Sequence, residues 1–227
     1  MIDKISTKIS TLEAALTEIA SDVARPALAS SLSMEDQIIT DVIARLGLNI
    51  AVFTLNTGRL HAETLAVIDA THARYGLKIE QMKPVGESVL HYVASYGENA
   101  FYDSTELRKA CCNIRKVEPL KRALAGRGGW ITGQRREQSV TRNELPAQEY
   151  DAANVQQKFN PLSDWTQADV DHYIRLYAVP VNALHARGYP SIGCEPCTRA
   201  VKPSEDARAG RWWWENANTR ECGLHVK

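Results

Sequence analysis

The sequence has no excess of either charge: 27 Lys and Arg stand against 27 Asp and Glu among 227 residues. A broad basic face for nucleic acid needs such an excess, so no nucleic-acid partner is expected, and any anion site has to be local. Long apolar runs are missing too. None approaches the roughly 18–20 residues of a membrane span, so no membrane association is expected. The opening stretch, MIDKISTKISTLEAALTEIA, lacks the apolar segment of a secretion signal. The expected location is the cytoplasm, where five cysteines point to metal binding or catalysis and not to a disulfide framework. There is no GxGxxG or GxxxxGK[ST] phosphate loop, no HExxH, no internal repeat and no low-complexity segment.

What is present is periodic and mostly apolar. With 44% hydrophobic residues the chain can bury one sizeable core. A single domain over 1–227 is expected, with an amphipathic N-terminal helix over about 1–26, a core over 27–200 and a mobile, cysteine-bearing tail over 201–227. Helical spacing predicts helices over Thr11–Val23, Met34–Leu46, His61–Tyr75 (with Leu65, Ile68, His72 and Tyr75 on one side), Ser88–Tyr96, Arg115–Leu124 and Asp169–Leu176. Apolar runs predict strands at PALASSL, IAVFTL, LKIEQM and WIT. The polar stretch 133–161 reads as loop with one short strand, VQQKF. Strands alternating with helices imply an α/β fold, a parallel twisted sheet flanked by helices. Ligands of such sheets bind beyond the C-terminal ends of the strands.

The chemistry-bearing residues cluster at those ends. Cys194 and Cys197 form a CxxC, and Cys111 and Cys112 are adjacent. Four thiolates suit an iron–sulfur cluster or zinc, and redox-active or buried thiols are the plain alternative. Adjacent cysteines chelate one tetrahedral ion awkwardly, which favours a cluster whose irons are separate. Cys222 stands apart near the C-terminus beside Gly223 and His225, as a candidate nucleophile or an incidental exposed thiol. Ser30, Ser31 and Ser33 lie between a strand and its helix, where hydroxyls and helix amides can hold a phosphate or sulfate. Ser33 could instead simply cap the helix. Arg59, Arg135, Arg136, Arg208 and Arg211 recur near the expected sheet edge, and Lys116 follows the cysteine pair. Together they suggest a compact polyanionic ligand; singly, each is a plausible surface ion-pair partner. Trp212–Trp214 read as packing residues before they read as a stacking platform.

The segments SSLSMED (30–36), LNTGRLHAET (55–64), CCNIRKVEPL (111–120), TGQRREQS (132–139), KFNPLSDW (158–165), GCEPCTR (193–199), EDARAGRWWWE (205–215) and ECGLH (221–225) resemble the adenylyl-sulfate and phosphoadenylyl-sulfate reductase family, in its iron–sulfur branch. The resemblance implies an adenine-nucleotide α-hydrolase-like fold. It implies a [4Fe–4S] cluster on Cys111, Cys112, Cys194 and Cys197, and attack of Cys222 on the sulfur of adenylyl sulfate. Thioredoxin or glutaredoxin would then release sulfite. It places Lys116 between cluster and substrate, Arg208 and Arg211 on phosphate or sulfate, and Ser30, Ser31, Arg59, Arg135 and Arg136 in the nucleotide pocket. A homo-oligomer is also implied. The four cysteines select adenylyl sulfate. A reductase that prefers phosphoadenylyl sulfate, or accepts both, is the alternative. A tRNA-sulfurating enzyme lacks support because the SGGxDS loop is missing, and a non-catalytic zinc module would not need Cys222. The chain departs from the family pattern at Asn56, usually aspartate, and in the serine loop, usually SFSGAED.

Overall fold

A computed structural model describes residues 4–139 and 142–216. Its centre is a sheet in which β1 (Ala27–Ser30), β2 (Ala51–Leu55), β3 (Glu80–Met82), β4 (Gly129–Ile131), β5 (Gln148–Asp151) and β6 (Gln156–Phe159) take the order β3-β2-β1-β4-β6-β5. All pairings are parallel except β5 on β6. The chain winds outward from β1 to β3, then returns to place β4 on the other side of β1. The strand order therefore reverses between β1 and β4, and a crevice opens beyond their C-terminal ends.

One face of the sheet is covered by α1 (Lys4–Asp22), α2 (Met34–Leu46), α3 (Ala62–Tyr75) and α7 (Gln167–Tyr177). Their apolar stripes pack on Leu28, Val52 and Ile131 in the larger core. On the other face α6 (Glu118–Leu124) packs Leu120, Ala123 and Leu124 against Ala27, Phe53 and Trp130. α4 (Gly86–Tyr96) and α5 (Thr105–Cys112) precede α6 in the crossover from β3 to β4. Helix boundaries follow local chemistry. Gly47 ends α2 at φ +63°, in the left-handed region that glycine enters freely. Thr166 starts α7 by accepting a hydrogen bond from the Asp169 amide. Among the described residues, no helix is long and apolar enough to cross a membrane.

Four expectations need correction. α1 spans Lys4–Asp22, in keeping with a helix over about 1–26, but its periodic stripe starts before Thr11 because Ile5 and Ile9 are buried as well. The buried face of α3 is Thr64, Val67 and Thr71, not the stripe through Leu65, which is exposed. Buried amides decide this: Gln37 donates to Thr71 and Asn182 to Thr64, so threonines take positions that apolar spacing assigns to larger residues. Helix runs through Thr105–Leu124 and includes the cysteine pair, instead of beginning at Arg115. The stretch 133–161 holds two strands. β5, QEYD, has no apolar alternation because it is the exposed edge of the sheet.

Candidate active site

Beyond the C-terminal ends of β1, β2 and β4 lies a cavity of about 470 Å³. Ala29, Phe53, Leu55, Leu120 and Trp130 supply an apolar region of its lining. Its polar lining comes from two walls of different construction.

The first wall is made by the loop from β1 to α2 and the loop after β4. Leu32 sits between the serines at φ +63°, with its side chain fully buried in the larger core. A leucine held in the left-handed region is a local strain that the surrounding packing must offset. It anchors Ser31 and Ser33 over the cavity. Asp36 then closes the loop: Ser31 donates from its amide (2.6 Å) and its hydroxyl (2.5 Å) to one carboxylate oxygen. The Gly133 amide donates to the other oxygen at 2.9 Å, so one carboxylate ties both loops together. Burial pushes the Asp36 carboxyl up to about 6, against the pull of these donors. A Cβ on Gly133 would lie 2.5 Å from the Asp36 carboxylate, so only glycine allows this approach. Ser33 stands at the N-cap of α2 but makes no side-chain capping bond, and its side chain lines the cavity.

The second wall carries the cysteines. α5, capped by the Ser104 hydroxyl, passes into a single π-turn at Asn113–Val117 before α6. Such turns insert an extra residue into a helix and occur often at functional sites. Cys112 and Lys116 are both buried around this one. The Cys194–Cys197 turn docks on the loop after β2: the Glu195 amide donates to the Arg59 carbonyl at 2.7 Å, and Leu60 bridges Cys194. Cys112, Cys194 and Cys197 are buried in one cluster with Phe101 and Trp212, and half-buried Cys111 and Trp214 pack against it. The Arg108 guanidinium lies 4.8 Å from the Trp212 ring and forms a two-pronged ion pair with Glu215 at 2.8 Å in both bonds. Burial raises the Cys194 thiol, but Lys116, the Thr57 hydroxyl (3.3 Å) and Arg211 together bring it below its ordinary value. Burial pushes Cys197 up to about 12, with Cys194 adding to the rise.

The expected cations separate into two sets. Lys116, Arg208 and Arg211 line the cavity. Lys116 and Arg211 both lie against Trp212, at 5.7 and 4.7 Å from its ring, which places their charges beside the cysteines. Ser30 and Ser31 line it as well. Arg135 reaches the cavity, but its donors are already taken by Glu35, Glu137, Gln167 and the Trp165 carbonyl. Arg59 does not line the cavity; it pairs with Glu98 and Asn99. Arg136 does not either, and donates to the Leu145 carbonyl. Asn56 also lies outside the lining: its side chain accepts from the Gly58 amide and donates to Gln81, so this departure from the family pattern shapes a turn. Trp212 is buried as packing, and Trp214 stacks edge-on against Tyr102 at 4.4 Å. Cys222, with His225, lies outside the described residues. Singling out cations passed over Asp36, Gly133, Thr57 and the Arg108–Glu215 pair. The first three stand inside the quoted motifs, whereas nothing in the sequence couples Arg108 to Glu215.

The four thiols also bear on which metal group the residues suit. Four sulfurs on one zinc ion would stand roughly 3.8 Å apart, given zinc–sulfur bonds of about 2.3 Å. Among the described residues no three His, Cys, Asp or Glu converge on a single ion. Cys111, Cys112, Cys194 and Cys197 meet in one cluster with Phe101, Trp212 and Trp214, and four thiols are a donor set that suits zinc or an iron–sulfur cluster.

Comparison with known proteins agrees with this architecture. Residues 25–200 match the model of the phosphoadenosine phosphosulfate reductase domain. A protein of Burkholderia cepacia named adenosine 5′-phosphosulfate reductase is 58% identical over 223 residues, covering 98% of this chain and 89% of that protein. A protein of the same name from Allochromatium vinosum is 54% identical, over 95% of this chain and 86% of its own length. Among solved structures, the phosphoadenylyl-sulfate reductase of Candida auris, in its phosphate complex, superposes with a TM-score of 0.72 at 24% identity. The match covers 88% of this chain and 98% of that one. The FMN adenylyltransferase of Candida glabrata, in complex with FAD and pyrophosphate, superposes at 0.59 and 14% identity, over 97% of this chain and 80% of that one. At these identities both structures speak to the fold alone.

Proposed function

The chain belongs to the phosphoadenosine phosphosulfate reductase domain family, and we propose that it reduces adenylyl sulfate to sulfite and AMP in sulfate assimilation. The observation that carries this reading is near full-length similarity to proteins named for that reaction. The cavity supports it. An apolar region suits an adenine base, and Lys116, Arg208 and Arg211 supply the charge that a phosphate–sulfate anhydride needs.

In the proposed reaction the Cys222 thiolate attacks the sulfur of adenylyl sulfate. The bond from sulfur to the bridging oxygen breaks, and AMP leaves with its electron pair. The sulfonate stays on Cys222 as a thiosulfonate. A thiolate of reduced thioredoxin, or glutaredoxin, next attacks the Cys222 sulfur, and sulfite departs with the electrons of the sulfur–sulfur bond. The second thiol of the donor resolves the mixed disulfide, so both electrons come from the donor dithiol and Cys222 returns to thiolate. The three cations offset charge on the sulfate and on the departing phosphate, and the low polarity around them strengthens the effect. Cys111, Cys112, Cys194 and Cys197 would hold a [4Fe–4S] cluster whose contribution is electrostatic, acting on the substrate side through Lys116. Since Arg135 has its donors engaged, its part is to hold Glu35 and the loop after β4 in position.

The test is to purify the protein without oxygen and measure iron and absorption. Sulfite release from adenylyl sulfate and from phosphoadenylyl sulfate is then assayed with reduced thioredoxin. About four irons, turnover of adenylyl sulfate and none by Cys222→Ser is the expected result. A colourless protein that turns over only the 3′-phosphorylated nucleotide would overturn the cluster and substrate assignments together.

A further inference from the structure

The most conspicuous unused polar group in the cavity wall is the carboxamide of Gln134. The residue is 6% exposed and lines the cavity. Its Oε1 is buried without a hydrogen-bond partner, and its side chain makes no polar interaction with the described residues. A buried amide left unbonded costs free energy that structures rarely tolerate without a reason. Its main chain, by contrast, is held on both sides. The Gln134 amide donates to the Thr132 hydroxyl at 3.3 Å, that hydroxyl donates to Asn160 at 2.6 Å, and the neighbouring Gly133 amide is bound to Asp36. The backbone is thus fixed while the terminal torsion of the side chain is unrestrained. Such a group is poised for a ligand that carries a hydrogen-bond donor.

Three regions of the lining divide the substrate between them. The apolar residues from the ends of β1 and β2 and from α6 suit the base. Lys116 and Arg211, beside the cysteines, and Arg208 suit the sulfate. Gln134 belongs to neither; it stands with Ser31, Ser33 and Asp36 on the wall built by the loops after β1 and β4. The part of a nucleotide that joins base to phosphate, and that offers hydroxyl donors, is the ribose. Resting on the reading of the substrate as adenylyl sulfate, we propose that Gln134 is a substrate-binding residue whose carboxamide accepts a hydrogen bond from a ribose hydroxyl. Neutral amides suit this role because they pair with a hydroxyl as acceptor or donor. The same wall carries the carboxylates of Glu35, Asp36 and Glu137, offset by Arg135 and Arg142.

The experiment is a coupling cycle read by calorimetry on the purified holoprotein. AMP, its 2′-deoxy and 3′-deoxy analogues and IMP are titrated into wild type and Gln134→Leu. Wild type should bind one deoxy analogue roughly tenfold more weakly than AMP, the scale of one hydrogen bond with its unpaired partner. Gln134→Leu should bind AMP about as weakly as wild type binds that analogue, and should no longer distinguish the two. Because the carboxamide makes no internal bond, the melting temperature should hold. Gln134→Met, of similar length, repeats the cycle if the leucine variant folds poorly. Equal weakening for all four nucleotides, or none, overturns the proposal, as does coupling to IMP alone, which would mean that the amide reads the base. Failure of wild type to bind AMP at all would instead count against the substrate assignment itself.

Discussion

The wall built on the loops after β1 and β4 and the wall built on the cysteines bound the same cavity, yet they are held by different means. The first rests on the larger core: Leu28, Ile131 and Leu32 are fully buried beneath it, and the Asp36 carboxylate joins its two loops with three short bonds. The second has no strand among the described residues, and from Glu195 to Glu215 its chain is turns and bridges. Its apolar cluster is small, and the buried Arg108–Glu215 pair joins α5 to the segment that ends the described chain. Regions with few apolar contacts open at lower free energy than the core. The difference teaches that one side of the cavity is set by the main core and the other by a small cysteine–tryptophan cluster and a buried ion pair.

The largest effect is expected from Glu215→Ala, which takes the two-pronged carboxylate partner from the buried Arg108 guanidinium, where both side chains are under 5% exposed. The cost should be about 3–5 kcal/mol. It should show as faster labelling of the cysteines by a thiol reagent, while amides of β1, β2 and β4 keep their protection from hydrogen exchange. Simultaneous loss of protection in the sheet would mean that the two walls form one cooperative unit.

The next effect is one of pH on the first wall. The folded Asp36 carboxyl is raised from 3.8 to about 6, so between these values the folded state holds more protons than the unfolded state. Stability from this group is complete below about pH 4 and is lost as pH rises to about 6, a change of order 2–3 kcal/mol. His61 and His185, held below their usual value by burial, act in the opposite direction over an overlapping range. Asp169, lowered to about 2, loses its contribution only below that window. The readout is therefore the difference in urea midpoint between wild type and Asp36→Asn from pH 4 to 6. A difference that does not change with pH would refute the titration of Asp36.

Gly133→Ala comes third. Its new methyl would press on the Asp36 carboxylate and the Glu35 Cβ, at about 1–3 kcal/mol for an overpacked site. AMP affinity should fall with it, whereas Gly193→Ala meets the movable guanidinium of Arg211 and should be milder. The smallest effect belongs to Ser33→Ala. Because its hydroxyl caps nothing, chemical denaturation should move by less than about 0.5 kcal/mol, below the usual loss for a cap. Nucleotide binding should still weaken, since the hydroxyl lines the cavity.

Much of this was legible residue by residue. The spacing of Met34–Leu46 gave α2 with its boundaries, and Gly47 gave its end. The two cysteine pairs announced a shared site, and the structure does gather them. The arginines were less legible. Arg135 and Arg136 are adjacent in sequence, yet one reaches the cavity with its donors engaged and the other binds a loop carbonyl. An arginine in sequence carries its charge but not its partner. β5 was hidden for a related reason, since an exposed edge strand leaves no apolar alternation to read.

The sequence by itself determined the parallel α/β frame, the serine loop, the cysteine set and the family, because these depend on local periodicity and on residues grouped along the chain. Only the tertiary structure decided which cations line the cavity, which carboxylate ties the loops and which amide oxygen is left unbonded. Those outcomes rest on contacts such as Glu35 with Arg135 and Arg108 with Glu215, separated by 100 and 107 positions. Such pairs form only where the sheet and its crossovers bring distant segments together, and hydrogen-bond satisfaction in a buried wall is settled there.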